Sequence, residues 1–343
     1  MDIRNTYIIC IIACMSHFTL SCKTGKDTGH AGVTSFAFEL PSNIRQLTSF
    51  GQRADWSHDG KKILFIEKTF GDVYEVTLET GEIRPLTHHY YHEGYVRALY
   101  LNNGDILLSG ARQFDAQNPV PSRKENAELW VLKKELEEAP VALNEICYEG
   151  PAVSRTRPRI AWSVRGDQPD AAIYLADLVY EEGIPVLINK REILTKEKFP
   201  DILDIETQNF RPPEEAELIF SAYGKDYLNC EVMGFHIETG EIINYSLRAD
   251  EYDEPEGIYP DGQSILVECD RHNRQGTRQI DIYKLKLDGS GHAERLTYFA
   301  DIQDYKSSNP VVSDDGRYVA FQVARVGDRA GVGRGIFIYS IDP

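Results

Sequence analysis

The chain has 343 residues, and 54 acidic side chains outnumber 37 basic ones to give a formal charge of −17. A balance that negative excludes general binding to nucleic acid, whose phosphates demand a basic surface. Hydrophobic residues make up 42% and aromatics 10%, enough for a sizeable packed core.

The first element is a leader. Arg4 precedes a mostly apolar run of fourteen residues, 7–20. That is too short to span a bilayer but suits the core of a signal peptide. Ser21-Cys22 follows directly and resembles a bacterial lipoprotein signal, in which the cysteine is lipidated and becomes the mature N-terminus. An ordinary secretory signal cut nearby is the alternative. The expected organisation is therefore signal peptide 1–21, flexible tether 22–35 and a folded domain 36–343. No later apolar stretch is long enough to cross a membrane, so any membrane attachment is expected through the lipid alone. Past Cys22, the cysteines Cys147, Cys230 and Cys269 allow at most one disulfide, and their spacing does not choose it. Without CxxC or mixed Cys/His spacing, a structural zinc site is not expected.

Along the folded part a hairpin unit recurs. It is clearest as WSHDGKKILF (56–65), IYPDGQSILV (258–267) and VSDDGRYVAF (312–321). Each reads as strand, tight Asp-Gly turn and apolar strand, with glycine supplying the left-handed backbone. Weaker copies lie at 100–108, 153–162 and 211–220, the last being the most degenerate. A second hairpin follows each copy, as in DVYEVTLETGEIRPLT (72–87). The period of about 45–58 residues, with four strands each, is that of a propeller blade. The sixth copy has only three strands, and an unmatched strand near residues 44–48 can complete it. The expectation is an all-β, six-bladed β-propeller whose closing strand comes from the N-terminal side.

These repeats resemble those of TolB and related bacterial propellers (TolB-like, WD40-like repeats) over residues 36–343. The resemblance implies the fold, not the function. TolB carries an additional N-terminal α/β domain, which this sequence is expected to lack, since only about a dozen residues separate Cys22 from the first strand. Prolyl-oligopeptidase-type enzymes use similar repeats but add a hydrolase domain, and this sequence has no GxSxG elbow.

In such a ring the residues just before each inner strand converge on one rim of the central channel, opposite the Asp-Gly turns. They are Gln52, Arg53, Arg97, Glu149, Thr207, Gln208, Asn209, Glu254, Glu256, Ser308 and Asn309. They form a candidate ligand-binding ring, or a set that merely hydrogen-bonds within itself. Nine arginines in the loops after the second strands (112, 123, 165, 271, 274, 278, 325, 329 and 334) suit carboxylate or sulfate recognition, or else neutralise nearby aspartates. The segment HHYYHE (88–93) offers His88, His92 and Glu93 as candidate metal ligands. Some propellers of similar blade design are polysaccharide lyases, and that likeness implies His89 or His92 as base, Tyr91 as acid, and Arg53 and Arg97 on a uronate carboxylate. The leading expectation is an exported, lipid-anchored binding protein of the periplasm or outer membrane, holding an acidic carbohydrate or an envelope partner. A lyase or hydrolase on acidic oligosaccharides, and a pure interaction scaffold, are the alternatives. No cofactor is required by this reading, although a divalent metal is compatible with it.

Overall fold

In the computed structural model, residues 39–165, 171–329 and 331–341 are described. The signal peptide, the tether, Cys22 and residues 36–38 lie outside them. The fold is a six-bladed β-propeller of six four-stranded antiparallel sheets. The inner strands, in blade order, are Gln52–Trp56, Arg97–Tyr100, Ala152–Val153, Asp204–Phe210, Asp253–Ile258 and Tyr305–Val312. As expected, the short strand Ile44–Gln46 completes the sixth blade, pairing Ile44 with Tyr339 and Gln46 with Phe337. No helix among the described residues is long and apolar enough to cross a membrane.

The inner hairpins turn as their sequences dictate. Gly60, Gly262 and Gly316 have φ of 66°, 66° and 73°. Gly262 has a second constraint, because a Cβ there would lie 1.9 Å from the Pro212 carbonyl oxygen of the previous blade. In the degenerate fourth blade Glu215 (φ 53°) takes the glycine's place. It is held there because its carboxylate accepts hydrogen bonds from Ser154 Oγ, Thr156 Oγ1 and the Arg155 backbone N–H of blade three.

The core lies between blades. Trp56, Phe65, Trp162, Phe220, Phe321 and Phe337 are fully buried, and Trp56 Nε1 donates to the Val311 carbonyl across the junction of blades one and six. Burial of aromatics at each junction is the main force holding a ring of sheets together.

Two repeated details position the channel residues. First, four inner strands carry a bulge, which inserts an extra residue and re-aims its side chain. The register shifts fall at Arg53, Gln208, Glu256 and Asn309. Second, the residue after three apolar positions in each second strand is polar in five blades: Ser109, Ser163, Ser221, Glu268 and Gln322. In four of these it reaches the next blade's inner strand or the residues just before it, whereas Ser221 bonds Gln208 of its own blade. Gln322 Oε1 accepts the Arg53 N–H at 2.8 Å, and Glu268 Oε1 accepts the Asn309 N–H at 2.7 Å. Ser109 Oγ donates to the Glu149 carbonyl, and Ser163 Oγ accepts the Thr207 N–H. At Arg53 and Asn309 the tie satisfies a backbone N–H that the bulge frees from the ladder.

One element has no counterpart in the repeat. The loop of blade two folds a six-residue helix, Pro119–Lys124, with proline in its first turn.

Candidate functional site

The channel residues fall into a basic and an acidic half. In the basic half a single carboxylate, Glu149, faces three cations. Arg53 Nη2 lies 3.7 Å away, Lys124 Nζ 3.7 Å, and Arg123 Nε hydrogen-bonds it directly. Arg123 and Lys124 are the last residues of the short helix, whose fold over the channel delivers them. Arg53 Nη1 also donates to the Val96 carbonyl. Burial, with Arg123 and Arg97 nearby, pulls the Arg53 guanidinium down to about 9. Burial works to raise the Glu149 carboxyl, but Arg123, Arg53 and Lys124 outweigh it and hold the group below its usual range.

The acidic half comprises Glu206, Glu254, Glu256 and Glu268 from blades four and five. Carboxylate oxygens of Glu254, Glu256 and Glu268 lie within 4.8 Å of one another. Tyr223 hydroxyl faces both Glu206, at 2.8 Å, and Glu254, and Tyr252 hydroxyl donates to Glu254 as well. Asn309 Nδ2 donates to Glu256 and Glu268, each at 2.8 Å. Arg97 joins the two halves at 4.0 Å from Glu256. Burial, then repulsion from neighbouring glutamates, pushes Glu206 and Glu268 well above the ordinary carboxyl range. Burial likewise raises Glu256 to about 7 against the opposing pull of Arg97.

These groups are packed inside the channel and not spread on an open rim. Arg53, Glu149, Gln208, Glu256 and Asn309 are buried. Gln52 is buried too, but it bonds Thr69 Oγ1 and the Gly333 N–H at a blade junction. Gln208 bonds Ser221, and Asn209 lines the channel cavity.

That cavity, of about 340 Å³, begins at the charged plug and opens beside the inner-hairpin turns, the face opposite to the expected one. Arg97, Glu256, Thr207 and Gln208 form its inner end. Leu99, Val153, Phe210, Ile258, Val311 and several prolines form apolar walls. At its mouth Arg155 crosses from blade three to Asp314 of blade six at 2.7 Å, to the Trp56 carbonyl at 2.9 Å, and to within 3.6 Å of Asp55. His58 Nδ1 meets Asp314 at 3.1 Å, and its Nε2 meets the Leu101 carbonyl. Sequence reasoning missed this mouth. Its signal was available, since His58, Arg155 and Asp314 occupy one and the same position of the repeat.

The mouth gives a pH dependence. The Asp314 hydrogen bond raises the His58 imidazole. Burial works to raise Asp314, but His58 and Arg155 prevail and lower it. A raised histidine stabilises the fold fully below its unfolded value of about 6.5, and the contribution is lost as pH rises through the folded value. A lowered aspartate contributes above about 3.9 and fails as pH falls. His58→Ala should therefore cost more stability near pH 5.5 than near pH 8.5, as urea melts at the two pH values would register.

The histidine segment lies away from the acidic cluster. His88 and His89 are exposed, and Tyr91, 86% exposed, bonds Glu93. His92 Nε2 lies 3.0 Å from the Asp72 carboxylate while its Nδ1 accepts the Gly94 N–H, so both ring nitrogens are engaged. Among the described residues Glu254, Glu256 and Glu268 are the group that could hold a metal, and His88, His92 and Glu93 do not form one. Of the nine loop arginines, Arg112, Arg123, Arg165, Arg271, Arg274 and Arg334 pair with carboxylates, and Arg325 lies 4.0 Å over the Tyr305 ring. Cys147, Cys230 and Cys269 are buried and unbridged.

No protein-family model matches the chain, and no curated protein matches it. Solved structures do. A putative TolB from Agrobacterium tumefaciens aligns at TM-score 0.53 and 17% identity, over 74% of this chain and 77% of that one. A calcium-binding protein, regucalcin, from the same organism aligns at 0.52 and 10%, over 86% and 92%. An oligogalacturonate lyase in complex with manganese aligns at 0.51 and 14%, over 86% and 79%. At such identities the likeness is one of fold, and the chain is a six-bladed β-propeller whose solved neighbours include the TolB-like propellers.

Proposed function

We propose that this chain is an exported, lipid-anchored binding propeller of the periplasm or outer membrane, which takes a short segment of a cell-envelope protein into its central cavity. The observation that carries the reading is the cavity itself, apolar along its walls and polar at its mouth and floor. Its size falls at the lower end for ligand pockets, and mixed lining of this kind suits a few residues of inserted chain. The leader and Cys22 support export and anchoring. An acidic glycan draws less support, because most of the arginines on which it would rely already face carboxylates of the chain. The lyase reading draws less again, since the ring nitrogens of His92 are both occupied.

Leu99 lines the cavity and belongs to the inner strand of blade two. Leu99→Trp should fill the space with the fold intact. A photo-crosslinker at position 99 is expected to capture one envelope protein, and Leu99→Trp to reduce binding of that purified partner at least tenfold. In the same cells Cys22→Ala should move the protein from the membrane pellet to the soluble fraction. Binding of uronate glycans that Leu99→Trp leaves unchanged would overturn the cavity reading. Unsaturated products that vanish with His89→Ala or His92→Ala would make the protein an enzyme.

A further inference from the structure

Glu268 occupies the tie position at which four other blades use serine or glutamine and blade one has Ile66. In blade six Gln322 performs the same task, accepting the bulge N–H of the next blade through its amide oxygen. The tie at Asn309 therefore needs an acceptor and does not need a charge. Yet the carboxylate is there, 4% exposed, beside two more. Three glutamates share one ion pair, the 4.0 Å contact of Glu256 with Arg97. Arg97, and Lys306 acting on Glu268, only partly offset the repulsion among them.

A second, independent feature lies against them. Asn309 is buried, its amide nitrogen touches two of the carboxylates, and its amide oxygen Oδ1 is buried with no hydrogen-bond partner. Turning that amide over would point its oxygen at the carboxylates, an arrangement that only a cation makes favourable. Nitrogen and oxygen of a side-chain amide are interchangeable in shape. The donor set is then four oxygens with neither nitrogen nor sulfur, which selects a hard ion. The carboxylate oxygens all lie within 4.8 Å of one another, close enough to share one ion that takes ligands at about 2.4 Å.

We propose that Glu254, Glu256 and Glu268, together with the Asn309 side-chain oxygen, form a binding site for a divalent cation of the calcium class within the central channel. The site stands independently of what enters the cavity, although Glu256 belongs to both. The ion fixes the acidic half of the plug as the cations around Glu149 fix the other half.

The experiment uses the mature protein stripped with EDTA. Tyr223 and Tyr252 both bond Glu254, so terbium in the calcium position is excited through tyrosine. Tyrosine-sensitised terbium emission is expected, displaced by calcium, and calcium alone should raise the melting temperature by mass action. Glu268→Gln keeps the tie, as Gln322 shows, and should weaken calcium binding at least tenfold. Glu238→Gln, on an exposed outer turn, should leave it unchanged. Calcium affinity undiminished in Glu268→Gln would overturn the site. Should that variant fail to fold, Glu256→Gln carries the same comparison. A wild-type protein that shows neither displaceable emission nor a raised melting temperature at millimolar calcium overturns the site by itself.

Discussion

Replacing Glu149 with alanine is expected to be among the most damaging single changes in the channel, costing about 3–5 kcal/mol. The reason lies in the count of partners. One carboxylate answers Arg53, Arg123 and Lys124, and Arg53 and Glu149 are almost wholly enclosed. Removing it leaves buried cations facing one another, and the guanidinium of Arg53 is already drawn down to about 9 with the carboxylate present. The melting temperature should fall on the order of 10 °C. The double variant Arg123→Ala/Glu149→Ala should recover part of the loss, because removing one uncompensated cation relieves the repulsion. Urea denaturation of the three proteins checks this. Equal stability of Glu149→Ala and wild type would show the pairing to be immaterial.

The second large effect concerns ring closure. Ile44 is 7% exposed and packs with Phe337, Val319 and Tyr259 of the last blades. Ile44→Asp places a carboxylate in that apolar cluster and should cost roughly 4 kcal/mol or more, since truncation alone costs 2–5. Ile44→Val, which removes one methyl, should cost only about 0.5–1.5 kcal/mol. Release of the strand Ile44–Gln46 also bares the edge of Ile336–Ser340. A free edge templates association, so Ile44→Asp should appear as higher-order species in light scattering while Ile44→Val stays as the wild type.

Much of the fold was legible because it is written six times. Asp-Gly turns between apolar strands gave the blade and its count, and the three-stranded sixth copy gave the closure at Ile44–Gln46. Even in blade four the pattern survived, with Glu215 doing what glycine does elsewhere. The convergence of Arg53, Arg97, Glu149, Glu256 and Asn309 on the axis was also readable, since pseudo-symmetry moves residues of equal repeat position to equal places. Their depth was not readable. Whether a polar ring stands open or sealed depends on the helix Pro119–Lys124, which belongs to blade two alone and has no repeat to announce it. The direction of the cavity escaped for a related reason. It is set by the bulk of the side chains at each end, and Arg155 and Asp314 meet across the ring from distant parts of the sequence. Glu268 was not readable because it sits in the second strand, away from the inner-strand starts, and Glu206 because blade four is the most degenerate copy.

The polar grip between neighbouring blades has one more implication. Gln322 holds Arg53 where blade six meets blade one, and the sixth sheet takes its strands from two distant stretches of the sequence, Ile44–Gln46 and Tyr305–Ser340. Glu268 holds Asn309 in the same manner where the backbone is continuous. The contact is thus the same whether a sheet is built from consecutive strands or from two distant stretches, and a rearranged gene whose product starts at another blade would rebuild these grips so long as each sheet kept its successor.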